Sequence, residues 1–301
     1  MTDPVASHVP TEAVRHARQA WSALEVLHVV GYFAPEPREQ YQALGLRPSL
    51  AYFAARSAAM GPVPPQVTAA LFYVFSPDLV AAALPAAWAT AAPARVLEAR
   101  HAGVSATLHR LLDEVAEPAE VEEAAELALT ACAGLSGAGR PLFAAHSALP
   151  VPADPLMRLW HAATLLREHR GDGHVAALVH SGLDPLEALV TGGAVTGWTP
   201  FLRTTRGWTP EQWQVTEERL VERGLLAPPG ADDEQGPAQH VLTEAGLQLR
   251  AAVEAQTDLA ALEGWTHLGE IGTARLVTLV RPWRDAVLGS GVLPPELLRR
   301  P

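Results

Sequence analysis

The sequence predicts a mainly α fold, and three observations carry that prediction. Apolar residues recur three and four positions apart through most of the chain, the spacing of one helix face. Prolines and glycines break this pattern at short intervals, as they do between packed helices. Only one short stretch, Leu225-Leu-Ala227 with its return at Gln239–Leu242, reads as strand, with a turn-rich segment between. A length of 301 residues allows a sizeable core and suggests about two domains.

Thr11 is placed to cap a first helix over 12–33, which Pro35 and Pro37 end. Further helices are predicted near 38–44, 48–59, 65–74, 77–91 and 94–116, and an acidic one over 119–133 ends at the glycines of 134–139. The stiff segment Leu149-Pro-Val-Pro-Ala-Asp-Pro155 marks a boundary, so residues 1–150 are expected to form a helical domain. Asp154 caps a second block, with Pro155 in its first turn. Gly171 and Gly173 are expected to interrupt this block, with helices near 174–181 and 184–191 following. Gly192, Gly193 and Gly197 are expected to form a loop. That middle block spans 151–197, and 198–301 holds the remaining module and the C-terminal helices. Within the first two blocks, residues 64–71 faintly echo 173–178, which would fit an old duplication.

The stretch 200–263 reads as one unit. Residues 201–206 suit a first short helix, Gly207-Trp208-Thr209 a tight turn, and Pro210–Arg223 a second helix with Trp213, Thr216 and Leu220 inward. Two short strands, a hairpin tip at 228–236 and a long helix from Thr243 complete a winged helix-turn-helix with a β-hairpin wing. The strings RLVERGLL and HVLTEAGLQLRAAVEA resemble the recognition helix, wing and following helix of MarR-type regulators. That resemblance implies operator binding, usually as a homodimer, through the second helix and an arginine-tipped wing. The strings EVLHVVGYFAPE, LWHAATLLREHRGDGHVAAL, RGWTPEQW and EAQTD resemble an uncharacterised actinobacterial-type helix-turn-helix family over nearly the whole chain; no residue role comes with this likeness.

Charge argues against the obvious function. The formal net charge is -11, and all 22 basic residues are arginines. Residues 209–224 carry four glutamates against Arg219 and Arg223, and the wing tip carries Asp232, Asp233 and Glu234 with no arginine. Phosphate neutralisation supplies much of the affinity for DNA, so carboxylates at these positions disfavour a DNA partner. The single cysteine, Cys132, excludes an intrachain disulfide. The start of the chain has no basic-then-apolar leader, and the uncharged run Leu79–Ala94 is short and carries prolines. Neither a signal peptide nor a membrane span is therefore expected, and a cytoplasmic location is.

Two polar constellations stand out. In the first helix Glu25, His28 and Tyr32 share a stripe, with Tyr52, Arg56 and Tyr73 as further candidates for lining the same space. In the second block His161, Arg167, Glu168, His169, Arg170, Asp172 and His174 crowd into fourteen positions. Histidines with a carboxylate can hold a metal or act as a base, and arginines can clamp an anion. A metal, or a histidine-ligated cofactor such as haem, would draw on His28, His161, His169 and His174. The expected function is a small-molecule or cofactor-binding protein with a pocket between helical blocks, the winged helix serving as scaffold or dimerisation element. The alternatives are a ligand-responsive transcriptional regulator and a histidine- or metal-dependent enzyme.

Overall fold

The computed structural model describes residues 11–228 and 241–294. Among the described residues there are fourteen α-helices: α1 (Glu12–Phe33), α2 (Pro35–Ala43), α3 (Pro48–Ser57), α4 (Pro65–Phe72), α5 (Pro77–Thr90), α6 (Pro93–Leu112), α7 (Pro118–Ala133), α8 (Pro141–Ser147), α9 (Pro155–His180), α10 (Pro185–Thr196), α11 (Thr199–Thr205), α12 (Pro210–Glu222), α13 (Glu244–Ala260) and α14 (Leu262–Gly289). Ten of them begin on a proline. Proline is pre-set for the first helical turn and lacks an N–H that would find no partner there. The residue before each proline is held away from helical geometry, so a single proline both ends one element and starts the next.

No single helix among the described residues is long and apolar enough to cross a membrane. The largest core joins α1, α6, α7, α9 and α14, and so draws on both sides of the 149–155 linker. A second core, around Phe53, Phe72 and Phe75, joins α2 through α6. A third, around Trp213 and Leu220, holds α10, α11 and α12 together.

Three expectations need correction. Among the described residues there is no β-hairpin wing: this region holds one antiparallel bridge, Leu226 to Leu242, and the tip at 229–240 lies outside the described residues. The bridge is pinned by Ala227 N donating to Val241 O at 2.9 Å and Thr243 N donating to Leu225 O at 3.1 Å, too few ladder bonds to make strands. The glycines at 171 and 173 do not interrupt α9, which runs unbroken for 26 residues. Its Asp154 cap accepts from Met157 N at 2.8 Å, and tertiary packing on α1 and α7 outweighs the propensity cost of two glycines. Gly173 is there for proximity: a Cβ would sit 2.0 Å from Nη1 of Arg140. That guanidinium needs the space to reach the carbonyls of His169 (2.6 Å) and Ala260 (2.9 Å). Likewise Gly192 and Gly193 lie inside α10, and the chain turns only at Gly197.

Candidate functional site

The helix α9 organises the polar interior. Glu168 has no exposed surface. Its Oε2 accepts from Arg56 Nη2 at 2.9 Å, and its Oε1 from Arg167 Nη1 at 2.9 Å and Arg56 Nε at 3.3 Å. Arg167 Nε donates onward to Glu25 Oε1 at 3.2 Å. Two guanidiniums thus face two carboxylates, and the cluster is electrically closed. Burial alone would raise the Glu168 pKa, but Arg56 and Arg167 hold the carboxyl well below its ordinary range.

His28 is fully buried beside this cluster and stacks on Trp160, with ring centroids 5.6 Å apart. The Thr164 hydroxyl donates to Trp160 O at 2.9 Å, so it must accept from His28 Nδ1 at 3.1 Å. The other nitrogen, Nε2, then accepts from the Tyr32 hydroxyl at 3.1 Å. This assignment requires a neutral ring. Burial, and next the Arg167 charge, push the His28 pKa well below its ordinary value. His174 repeats the arrangement: it bonds Thr257 Oγ1 at 2.9 Å, and that hydroxyl donates to Val253 O.

A cavity of about 980 Å³ lies in front of the network, between α1, α3, α9, the end of α14 and the helix-turn-helix. Glu25, Tyr32, Tyr52 and Arg167 are among its lining residues. His28, Arg56 and Glu168 form the shell behind its wall through the bonds above. Arg170 and His174 border a different cavity. His161 faces Arg100 and His101 of α6. His169 packs edge-on against Phe143 with centroids 5.2 Å apart, while Asp172 accepts from Phe143 N at 3.0 Å and so caps α8 from outside. Tyr73 donates to Leu183 O at 2.5 Å, away from the first cavity. The four histidines proposed as metal ligands therefore have separate partners. Among the described residues, the ligand-type group that does converge is Glu12, His16 and Glu270 on the surface.

The sequence reading missed Arg206. It sits in the turn after α11 and lines the cavity, with its guanidinium over Phe75 (4.5 Å) and Phe201 (5.5 Å). Its one side-chain hydrogen bond among the described residues is to Thr205 Oγ1 at 2.8 Å, and no carboxylate there pairs with it. Burial without a counter-charge lowers its pKa. The local sequence offers only Phe201, and the nearer ring, Phe75, comes from more than a hundred positions away. Arg100 was missed for the same reason. It is buried over Trp160, with Nη1 3.2 Å from His146 Nε2 and 3.4 Å from Ala55 O.

The turn is strapped to the N-terminal block. Ser76 N donates to Arg206 O at 2.9 Å, and Trp208 Nε1 donates to Val74 O at 3.0 Å. Gly207, at φ +76°, makes the reversal. Beyond it, the Thr209 capping box with Gln212 starts α12. Arg219 of α12 and Arg223 just after it both reach to carboxylates at the start of α10. Arg219 pairs with Asp184 and, at 3.0 Å, with Glu187; Arg223 pairs with Glu187 at 2.6 Å. The exposed positions include Glu211, Gln212, Gln214, Val215, Glu218, Arg219 and Glu222, with Arg223 just beyond, and both arginines are engaged by carboxylates of the protein itself, so the glutamates set the sign of this face.

Short helices α10, α11 and α12 around Trp213, with a tight glycine turn between the last two, define a helix-turn-helix protein. The chain belongs to the helix-turn-helix family, which it matches over residues 17–294. Neither a curated protein nor a solved structure matches it.

Proposed function

We propose that the protein binds a small organic anion in the 980 Å³ cavity, and that the helix-turn-helix serves as one wall of that site. The observation that carries this reading is the Arg206 guanidinium, set against two phenyl rings and lacking a carboxylate partner among the described residues. An enclosed charge without a partner is costly, and an anionic ligand removes the cost. The volume suits a drug-sized molecule. The walls contributed by Tyr32, Tyr52, Phe75 and Phe201 favour a ligand with an aromatic body.

The test uses 3-phenylpropanoate and its uncharged amide, titrated calorimetrically into the wild type and Arg206→Met. The carboxylate is expected to bind the wild type at least tenfold more tightly than either the amide or the variant allows, the scale of one charge-assisted hydrogen bond. Equal affinity across all three combinations would sink the reading.

Family membership favours a second reading, operator binding through α12, and the MarR-type likeness of 200–263 supports it. Against it stand the internal pairing of Arg219 and Arg223 and the glutamates on the outward face. We expect no retardation of duplex DNA from upstream of the protein's own gene, even at about 50 mM salt, where phosphate contacts are strongest. A shifted band competed by that duplex and not by an unrelated one would establish the regulator.

A further inference from the structure

A second cavity, of about 790 Å³, follows the first along the same face of α9. Arg167 borders the first; Arg170 and His174, roughly one and two turns on, border the second. Trp198, between α10 and α11, lines both. The other walls of the second cavity come from the start of α1, the end of α10 and the middle of α13.

Its charges do not balance. Arg170 donates to Glu254 Oε2 at 3.2 Å and Asp258 Oδ1 at 3.0 Å, with its guanidinium 4.3 Å from the centre of the Trp21 ring. Arg18 also bonds Asp258. Among the described residues Arg250 has only Glu254, 3.5 Å away and already engaged by Arg170. Its side chain is 13% exposed, and its Nη1 has no hydrogen-bond partner among those residues. His174 adds no charge near neutral pH, since burial lowers its pKa to about 4. Three guanidiniums thus face two carboxylates, leaving one positive charge over, at Arg250. A monoanion cancels it; a dianion would overshoot and meet Glu254 and Asp258. The rest of the lining is largely aliphatic, with Val14, Leu189, Val195, Leu247 and Leu259 around a groove kept open by small residues such as Ala255.

We propose that this second cavity is a binding site for an aliphatic monocarboxylate, anchored by Arg250 with its chain along the groove between α10 and α13. The site shares Trp198 with the first cavity but none of its charged groups, and so stands or falls apart from it.

The experiment is calorimetric titration of octanoate, with 1-octanol as the uncharged comparator, into the full chain. Wild type is set against Arg250→Met, Arg250→Lys, Arg206→Met and Ala255→Phe. Octanoate is expected to bind the wild type and Arg206→Met alike, to bind Arg250→Met at least tenfold more weakly, and to recover in part with Arg250→Lys. Ala255→Phe, which fills the groove without touching a charge, is expected to weaken binding as much and serves if Arg250→Met fails to fold. Octanol should bind at least tenfold more weakly than octanoate. The proposal is overturned if octanoate gives no binding, if octanol matches it, or if Arg206→Met abolishes binding that Arg250→Met and Ala255→Phe leave intact.

Discussion

Glu168 shows how much one buried carboxylate can hold in place. Among the described residues it is the only acid hydrogen-bonded to Arg56, and it links Arg167 to the rest of the interior. Glu168→Gln keeps the shape and removes the charge, leaving Arg56 buried without a counter-ion. A loss of about 3–5 kcal/mol is expected in urea unfolding at pH 7. The histidines set the acid limit. Burial, the first cause in each case, lowers His146, His169 and His174 to about 4, against an ordinary value of 6.5. Between those values the unfolded chain takes up protons that the folded chain refuses, so stability falls as pH drops from 6.5 towards 4. Each ring contributes a slope of up to about 1.4 kcal/mol per pH unit. Asp172, raised to about 6 mainly by burial, works in the opposite sense, because below pH 6 the folded chain is the one that holds the proton. Urea midpoints measured from pH 7 to pH 5 should fall, and His146→Gln should flatten the fall. An unchanged slope in that variant would contradict the neutral, buried assignment of the ring.

At the scale of the element, α9 gives opposite predictions for two neighbouring glycines. Gly171 has open space around it, the nearest neighbour being Glu168 Oε2 at 3.9 Å. Gly171→Ala should stabilise the helix by about 0.5–1 kcal/mol, because alanine loses less backbone entropy. At Gly173 a Cβ would meet the Arg140 guanidinium, so Gly173→Ala should cost about 1–3 kcal/mol by driving it off two carbonyls. Thermal unfolding of the two variants decides the matter; the same sign for both would mean that Arg140 is not seated there. On propensity alone the two glycines are equivalent, which is why the expected break was placed across both. The proline starts were legible in principle, since each X-Pro step marks a boundary, yet the composition alone reads as a simple surplus of proline.

For the whole molecule, the decisive contact is between the first and the last of the described helices. α1 and α14 pack together, and Trp265, Leu276 and Trp283 join Leu24 and Leu27 in one core. The helix-turn-helix is tied in separately through Ser76, Val74 and Trp208. Unfolding followed by tryptophan emission and by far-ultraviolet circular dichroism should therefore trace one coincident transition. Two separated transitions would point instead to domains that fold apart on either side of residue 150.

By itself the sequence determined the mainly helical fold and the helix-turn-helix, because these rest on periodicity and local stereochemistry. It also identified the residue types of the interior network, Glu25, His28, Tyr32, Arg167 and Glu168, since polar groups on otherwise apolar faces need partners. Only the tertiary structure decided which partners they take. It closed Arg56, Arg167, Glu25 and Glu168 into a neutral cluster, sent Arg170 and His174 to a second cavity, and left Arg206 and Arg250 without a full counter-charge. The reason is physical: whether a charge is satisfied depends on groups brought near it from distant parts of the chain, and no local pattern encodes that distance.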